Sequence, residues 1–426
     1  MARAHIPEKL AELTPEWLTG ALRETGVLRE ARVVNVESQV LGEGQGFIGD
    51  LARLRLSLDR EEPSAPRTLI AKLPTEREAN RGLGQLGGVY EREIRFYREL
   101  RDTLRETTGV RTPRHYYSAM DETSGGRWIV PILRFVDRLP GVLLRLVLRF
   151  FTWLVGLSRQ RYLLMLEDMA PARLGDQVAG CSEDEAERAL RCAARLHAGF
   201  WNDPRLDAFW WIMPLDVAPN TFRHFLDQGR EPFLERYGDR LTPAVREKLA
   251  WLEKHDVEVM RALGGPPRTI VHGDFRLDNM FFDETTGEIV LFDWQSPSCG
   301  LGTFDAAYFL SSLPVATTAT TATTESTEST ETTGMTPEAE ERLMRVYHDE
   351  LLSLGVRDYP WERFLRDYRL SMLLMLERIG AAAADLIEFG EDRGAELVET
   401  WIERLLERVE HVPTEGLLEP AEMERR

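Results

Sequence analysis

The chain has 426 residues, 43% of them hydrophobic, with a formal net charge of -18 and a pI of about 5.1. This length exceeds one ordinary compact domain and fits two, or one bilobed protein. So acidic a surface repels nucleic-acid phosphates and disfavours general adhesion to anionic membranes, so we expect no nucleic-acid partner. Three cysteines without disulfide or zinc spacing, and N-terminal residues without a signal-peptide pattern, predict a cytoplasmic protein with reduced thiols.

The first part of the chain predicts a small sheet with one helix inserted. Leu54, Leu56 and Leu58 alternate with polar residues, which is the pattern of a half-buried strand. A glycine-rich turn over 42–49 precedes this strand. The predicted elements of this part are helices over 8–28 and 90–104 and strands over 33–41, 51–58, 69–73, 115–119 and 162–166.

From about Ser182 onward, helical periodicity replaces strand alternation. The predicted helices cover 186–201, 245–263, 337–354, 361–384 and 393–409. Residues 316–335 are almost entirely threonine, alanine, glutamate and serine, so they cannot offset the cost of ordering and are predicted to form a disordered loop. We predict an α+β bilobed fold, with a sheet-rich N-lobe over 1–169 and a mostly helical C-lobe over 170–426.

One hairpin interrupts the helical part and carries three oxygen-bearing side chains. A turn near Thr286 would place Asn279 and Asp293 across from each other on antiparallel strands, with Asp274 in the preceding loop. Amide and carboxylate oxygens suit Mg²⁺, which predicts Asn279 and Asp293 as metal ligands. Asp274 is the predicted catalytic residue, because its carboxylate could accept a proton from an attacking hydroxyl. Each residue alone could simply be a turn or capping residue, but the ordered set favours chemistry.

The motif His272-Gly-Asp-Phe-Arg-Leu-Asp-Asn279, followed by Phe292-Asp-Trp-Gln295, resembles the signature of aminoglycoside-phosphotransferase-like kinases. Residues 90–97 and 196–201 resemble helix motifs of the ecdysteroid-kinase-like and choline-kinase-like branches, the first of these being the nearest. Asp305 matches the aspartate that follows the metal site in these kinases. The resemblance implies a protein-kinase-like fold with ATP and Mg²⁺ bound between the lobes.

The resemblance also implies how the nucleotide phosphates are held. Lys72 matches the strand lysine that contacts the α- and β-phosphates and pairs with a helix glutamate. An exposed lysine on an edge strand is the alternative. Among Glu91, Glu93 and Glu99, we choose Glu93 as the partner, because it lies on the apolar stripe of its helix.

Two further segments complete the predicted nucleotide site. Gly44 and Gly46 in the glycine-rich turn could close over phosphates with backbone N–H groups, although glycine-rich hairpins are common. Glu167 and Met169 lie in a segment that resembles the interlobe hinge of these kinases. His272 is interpreted as an organiser of its loop in preference to a proton-transfer group.

An apolar segment, 139–157, departs from the family pattern and lies in an apparent insertion over about 126–160. Arg145 and Arg149 near its middle would each cost about 2.5–3.5 kcal/mol at a bilayer centre, which argues against a membrane span. Three hypotheses remain: a helix packed on the N-lobe, a peripheral contact with a membrane, or pairing with a second chain.

The predicted function is transfer of the ATP γ-phosphoryl group to a hydroxyl of a small acceptor, lipophilic or cationic in character. A catalytically silent pseudokinase that binds nucleotide or a partner is the alternative. A protein kinase ranks below both, because the sequence has no Ala-Pro-Glu-type segment for peptide docking. The acceptor, the choice between ATP and GTP and the oligomeric state stay open.

Overall fold

The computed structural model describes residues 5–41, 49–74, 88–121, 126–156, 160–316, 334–389 and 392–418. The predicted glycine-rich turn, with Gly44 and Gly46, and most of the predicted threonine-rich loop lie outside the described residues.

The N-terminal part is a five-stranded antiparallel sheet in the order β1-β2-β3-β5-β4. Its strands are β1 (Val33–Leu41), β2 (Gly49–Leu58), β3 (Thr68–Pro74), β4 (His115–Met120) and β5 (Tyr162–Glu167). Lys72 on β3 lies opposite Leu51 on β2 and Leu164 on β5. It therefore occupies an inner strand, which excludes the alternative of an exposed lysine at a sheet edge.

Two helices pack against this sheet. Helix α1 (Pro15–Glu24) starts where the Thr14 hydroxyl accepts a hydrogen bond from the Trp17 backbone N–H, so it is shorter than the predicted 8–28. Helix α2 spans 89–108, with a π-helical turn over Phe96–Leu100. The apolar face predicted for α2 is buried, and it joins the hydrophobic core that continues into the C-terminal part.

The C-terminal part is mostly helical, as predicted. Its helices are α5 (Glu183–Gly199), α6 (Pro219–Tyr237), α7 (Pro243–Gly264), α8 (Thr303–Ser311), α9 (Pro337–Ser353), α10 (Trp361–Phe389) and α11 (Asp392–Glu410). Ser182 and Glu185 form a capping box at the start of α5, each side chain accepting a hydrogen bond from the other's backbone N–H. The α+β bilobed prediction is confirmed.

Two small sheets hold the loops between these helices. One has the order β10-β9-β6 and the other β7-β11-β8. Their strands are β6 (Arg173–Leu174), β7 (Met213–Pro214), β8 (Thr269–Val271), β9 (Met280–Asp283), β10 (Glu288–Leu291) and β11 (Ser298–Gly300). Strands β9 and β10 form the predicted hairpin.

The apolar insertion between β4 and β5 forms two helices, α3 (Ile129–Val136) and α4 (Gly141–Gly156). The sequence predicted the second helix. Most of the described side chains of this helix are exposed, which contradicts the hypothesis that it is a helix packed on the N-lobe. Only Leu144 of α4 is buried among them. Across the described part of the chain, no helix combines the length and apolarity that crossing a bilayer requires.

Candidate active site

The β9–β10 hairpin brings Asn279 and Asp293 to the same end of the ladder. Met280 pairs with Leu291, and the next backbone bond runs from the Phe292 N–H to the Asn279 carbonyl at 3.2 Å. Asp293 follows with a φ of 62°, a left-handed conformation that ends the strand. The predicted hairpin is therefore present, but its register differs by one residue from the prediction. Phe292 lies directly across from Asn279, and Asp293 is one residue further on, because the turn is centred between Thr285 and Thr286.

Lys72 joins the sheet, helix α2 and the hairpin in one contact. Its Nζ lies 2.8 Å from Glu93 Oε2 and 2.6 Å from Asp293 Oδ1. Glu91 instead pairs with Arg95, and Glu99 accepts hydrogen bonds from Arg95 and from the Trp211 indole. Glu93 is thus the glutamate that contacts Lys72.

Burial and charge oppose each other at this ion-paired cluster. Burial lowers the pKa of the Lys72 ammonium, but the charges of Asp293 and Glu93 raise it by a larger amount. The net pKa is therefore raised, and the group stays charged. Burial also raises the pKa of the Glu93 carboxyl, despite the nearby ammonium. Gln295 adds a hydrogen bond of 3.5 Å to Glu93. The fixed positive charge of Lys72 lies where the sheet faces the hairpin.

Asp274 is held by three side chains. Its Oδ1 accepts hydrogen bonds from the Tyr308 hydroxyl at 2.6 Å and from Arg276 Nε at 3.1 Å. Its Oδ2 accepts one from Asn279 Nδ2 at 2.8 Å. Burial acts to raise the pKa of the Asp274 carboxyl, but the Arg276 charge and the Tyr308 hydrogen bond prevail and lower it. The carboxylate is consequently ionised and fixed in orientation.

The donor set fits a hard divalent cation that also binds phosphate oxygens. Asn279 Nδ2 donates to both the carbonyl and the carboxylate of Asp274, which leaves Asn279 Oδ1 without a hydrogen-bond donor among the described residues. Asp293 Oδ2 likewise has no hydrogen-bond partner among the described residues. Within the described ranges, no three His, Cys, Asp or Glu side chains form a metal cage. A cation here would therefore take its other ligands from water and nucleotide, as Mg²⁺ commonly does.

The loop before Asp274 is clamped by Asp305 on α8. The Asp305 carboxylate accepts the backbone N–H groups of His272 at 2.6 Å and Gly273 at 2.9 Å, and it contacts His197 Nε2 at 3.1 Å. The His272 ring is bonded to the Phe292 carbonyl at 2.9 Å. His272 is buried and joins the loop to the hairpin, which agrees with its interpretation as a loop organiser.

Only glycine fits at position 273. Its φ is 79°, and a Cβ there would collide with the backbone carbonyl of Ser296. The glycine of the His-Gly-Asp motif is therefore explained by backbone geometry.

The predicted hinge residues lie where β5 leaves the sheet. The Glu167 carboxylate accepts the Arg114 backbone N–H at 2.9 Å, and the Met169 carbonyl accepts the Ala172 N–H at 2.8 Å. Between them, Asp168 pairs with Arg53 on β2 at 2.8 Å. The Asp168–Arg53 pair fixes the position where β5 leaves the sheet. It could not be predicted from the sequence, because the partners are 115 residues apart.

Arg276 and Tyr308 were also missed. Arg276 lies inside the recognised motif, where it bonds both Asp274 and Asp278, the latter at 2.8 Å. Tyr308 lies three residues after Asp305 on α8, so helical spacing puts both side chains toward the same loop. This i, i+3 relation to Asp305 is the feature of the sequence from which the position of Tyr308 could have been predicted.

Comparison with known proteins is consistent with this geometry. The model of the phosphotransferase enzyme family, APH, matches residues 68–365. A choline kinase from Cryptosporidium parvum Iowa II is similar in structure, with a TM-score of 0.51 and 11% identity over 95% of this chain and 98% of that chain. This likeness supports the protein-kinase-like fold.

Two further solved structures are more distant. A Plasmodium vivax ethanolamine kinase has a TM-score of 0.43 and 11% identity over 87% of this chain and 82% of that one. A macrolide 2'-phosphotransferase type I has a TM-score of 0.46 and 11% identity over 93% of this chain and 98% of that one. No curated protein matches the chain. The nearest branch stays a prediction, but the family match covers more than half of the sequence, and the chain belongs to the phosphotransferase enzyme family.

Proposed function

We propose that this phosphotransferase moves the γ-phosphoryl group of ATP to a hydroxyl of a small-molecule acceptor. One observation carries the proposal: Lys72, paired with Glu93, reaches Asp293 at the same end of the hairpin as Asn279, whose side chain bonds Asp274. Positive charge for phosphates, oxygen ligands for a cation and an oriented carboxylate are thus brought together. Phosphoryl transfer needs little else from a protein than positioning and charge stabilisation.

On the donor side, Lys72 supplies the fixed positive charge. Glu93 keeps the ammonium in place, and burial strengthens its interaction with an incoming phosphate. Asn279 and Asp293 would hold Mg²⁺, which when bound neutralises charge on the phosphate oxygens. Arg276, at the side of Asp274, adds a second cation next to the reacting groups.

On the acceptor side, Asp274 orients the attacking hydroxyl. The acceptor oxygen forms a bond to the γ-phosphorus while the bond from that phosphorus to the β,γ-bridging oxygen breaks, releasing ADP. The hydroxyl proton passes to Asp274 and then to water. Because the pKa of Asp274 is lowered, we expect this proton to move late, when the acceptor oxygen has become acidic.

The test is Asp274→Asn, with ADP release measured over a broad panel of alcohols, amino alcohols and amphiphilic alcohols. Turnover should fall roughly a hundred- to ten-thousandfold, because the proton acceptor is lost. Nucleotide binding should be nearly unchanged, since Asp274 does not contact Lys72 in the structure.

The matched control is Asp278→Asn, the same chemical change in the same loop. Asp278 also bonds Arg276 and accepts the Gln177 N–H, but its carboxylate has no hydrogen bond to Tyr308 or to the Asn279 side chain. It should retain most of the turnover. Equal ADP release by wild type and Asp274→Asn on every acceptor would overturn the catalytic role and favour the pseudokinase alternative.

A further inference from the structure

The hairpin of helices formed by α3 and α4, here called the apolar hairpin, leaves large hydrophobic side chains in solvent. Trp128, directly before α3, is 72% exposed, Phe135 68%, Phe150 61% and Trp153 60%. Single exposed hydrophobic residues are ordinary on protein surfaces, but a contiguous group marks an interaction site.

These side chains form an ordered stripe along α4. Val142, Leu146, Phe150 and Trp153 follow each other at spacings of four, four and three residues, which puts them on one helix face. Phe150 and Trp153 touch, with ring centroids 5.8 Å apart. The opposite face carries the buried Leu144. The helix therefore has an inner apolar face toward the protein and an outer apolar face without a partner among the described residues.

Arginines border the outer stripe. By helical spacing, Arg145 and Arg149 lie along one of its edges, and Arg134 and Arg138 lie at the end of α3. None of these four forms an ion pair within the described ranges. Over 126–156 the sequence has five arginines and a single acidic residue, Asp137, in a chain whose net charge is -18. The apolar hairpin is thus a basic island on an acidic protein.

The apolar hairpin is firmly attached. The buried Asp137 carboxylate accepts the Thr221 N–H at 2.7 Å and the Asn220 side-chain amide at 3.0 Å, so it caps the first turn of α6. The next residue, Phe222, contacts the guanidinium of Arg378 at 5.6 Å from its ring centre. Arg378 is near enough to Asp274 and Tyr308 for their charges to act on its pKa. The apolar hairpin is therefore fixed to the first turn of α6, next to the residue that contacts Arg378.

We propose that the apolar hairpin docks on the surface of an anionic lipid bilayer, with α4 lying in the interface. The outer stripe would enter the boundary between headgroups and acyl chains, and the arginines would contact lipid phosphates. Tryptophan and phenylalanine favour this depth. The inference does not depend on the proposed function, because it concerns binding alone.

Charge distinguishes this partner from a second copy of the chain. A twofold dimer through the same face would bring Arg145 and Arg149 of each copy together. The only acidic residue of the hairpin, Asp137, is buried and already bonded, so it could not compensate. An anionic membrane supplies the missing negative charge, whereas the rest of this acidic protein is repelled from it.

The experiment is flotation of the full chain with phosphatidylcholine vesicles prepared with and without phosphatidylserine, at low and high salt. We expect binding to the anionic vesicles that weakens with salt. Leu146→Ser with Phe150→Ser should abolish it, because both side chains are exposed and their loss should leave the fold intact. Arg145→Gln with Arg149→Gln should weaken partitioning roughly fivefold for each arginine removed.

Matched controls have the same changes elsewhere. Val34→Ser with Leu354→Ser removes two exposed apolar side chains, and Arg55→Gln with Arg105→Gln removes two exposed arginines. All four variants should keep the wild-type circular dichroism and melting temperature. Loss of binding in the hairpin variants alone supports the proposal.

Three results would overturn it: no flotation of the wild type, unchanged flotation of the Leu146/Phe150 variant, or equal binding to neutral vesicles. Size-exclusion chromatography with light scattering tests whether the face instead binds a second copy of the chain. A dimer that dissociates in the Leu146/Phe150 variant, without vesicle binding by the wild type, would assign the face to a second copy instead.

Discussion

A carboxylate that is to accept a proton is usually expected to have a raised pKa, but that of Asp274 is lowered. Burial alone would raise it, yet Arg276 and the hydrogen bonds of Tyr308 and Asn279 stabilise the ionised form. The same contacts fix the direction of the carboxylate. Asp274 is therefore better built to orient a hydroxyl than to remove its proton early, which suits a reaction dominated by positioning.

Tyr308→Phe should show the effect of this hydrogen bond on Asp274 in the pH profile of kcat/KM. Removing the hydroxyl deletes the 2.6 Å bond to Asp274 Oδ1, so the pKa of Asp274 should rise toward its usual value. Since the proposed mechanism requires ionised Asp274, the acid limb of kcat/KM should move to higher pH, with a modest loss at the plateau. The control is Tyr368→Phe, which removes a similar bond to Glu340 at 2.8 Å, remote from the site. An unmoved acid limb in Tyr308→Phe would contradict this account.

At the scale of elements, three helices of the C-terminal part share a buried acidic group. Glu377 on α10 has 6% exposure and bonds Arg230 on α6 at 3.0 Å. Asp256 on α7 is fully buried. Burial, together with the charge of Asp256, raises the pKa of Glu377 to about 7 even though Arg230 acts the other way. Ionised Glu377 is thus a source of instability near neutral pH.

Glu377→Gln should stabilise the protein at alkaline pH and have little effect in acid. A carboxyl whose pKa is higher in the folded state loses stability as pH rises from about 4.3, its unfolded value, through about 7. Glutamine does not ionise, so the variant should gain on the order of 1–3 kcal/mol relative to wild type at pH 8. Urea unfolding at several pH values measures the difference.

Glu253→Gln is the control for this comparison. Glu253 pairs with the same Arg230 at 3.2 Å but is 58% exposed, so its removal should change stability little at any pH. If the difference in unfolding free energy between Glu377→Gln and wild type stayed constant from acid to alkaline pH, ionisation of Glu377 would not be the cause of that difference.

Several elements could be predicted from the sequence because their periodicity is regular. The inner strands and helix α2 alternate or repeat clearly, and the motif around Asp274 and Asn279 carries its own spacing. Helix α8 was missed because all nine of its residues are buried, so no polar face marks its period. Strands of two or three residues, such as β6 and β7, are too short to show alternation.

The candidate site was predictable as far as its residues belong to one motif. The family resemblance implied that Lys72 pairs with a helix glutamate, and the apolar stripe of the helix selected Glu93. Arg53 and Asp168 could not be paired, because long-range partners leave no local signal. The same limit applies to α4. Its composition predicted a helix, while its exposure depends on what the rest of the chain leaves uncovered.

In the whole molecule, the lobes meet through a continuous core and a charged contact. Phe96 on α2 stacks on Trp294 beside Asp293, with ring centroids 4.0 Å apart and planes within 6°. The Lys72–Asp293 ion pair spans the same boundary. The hydrophobic contact holds helix α2 against the hairpin, so the charged groups of the two lobes keep their relative positions.

Nucleotide with Mg²⁺ should therefore stabilise the whole chain through Lys72. A ligand that binds only the folded state adds about 2.7 kcal/mol when its concentration is 100 times its Kd, which a thermal melt would show as a rise of a few degrees. Lys72→Met should lose most of this rise, because the phosphates lose their buried cation. Asp274→Asn should keep it, since that carboxylate does not contact Lys72 and its proposed role is on the acceptor side.

Lys248→Met is the matched control for the melts. Lys248 is 8% exposed, the same as Lys72, but its Nζ donates to the Glu410 carbonyl at 3.0 Å, in the C-terminal helices. It should lower stability without nucleotide and retain the full rise with nucleotide. If Lys72→Met showed the wild-type rise, the phosphates would not be bound at Lys72. If Asp274→Asn lost the rise along with Lys72→Met, the division between donor and acceptor sides would be wrong, because both residues would then contribute to nucleotide affinity.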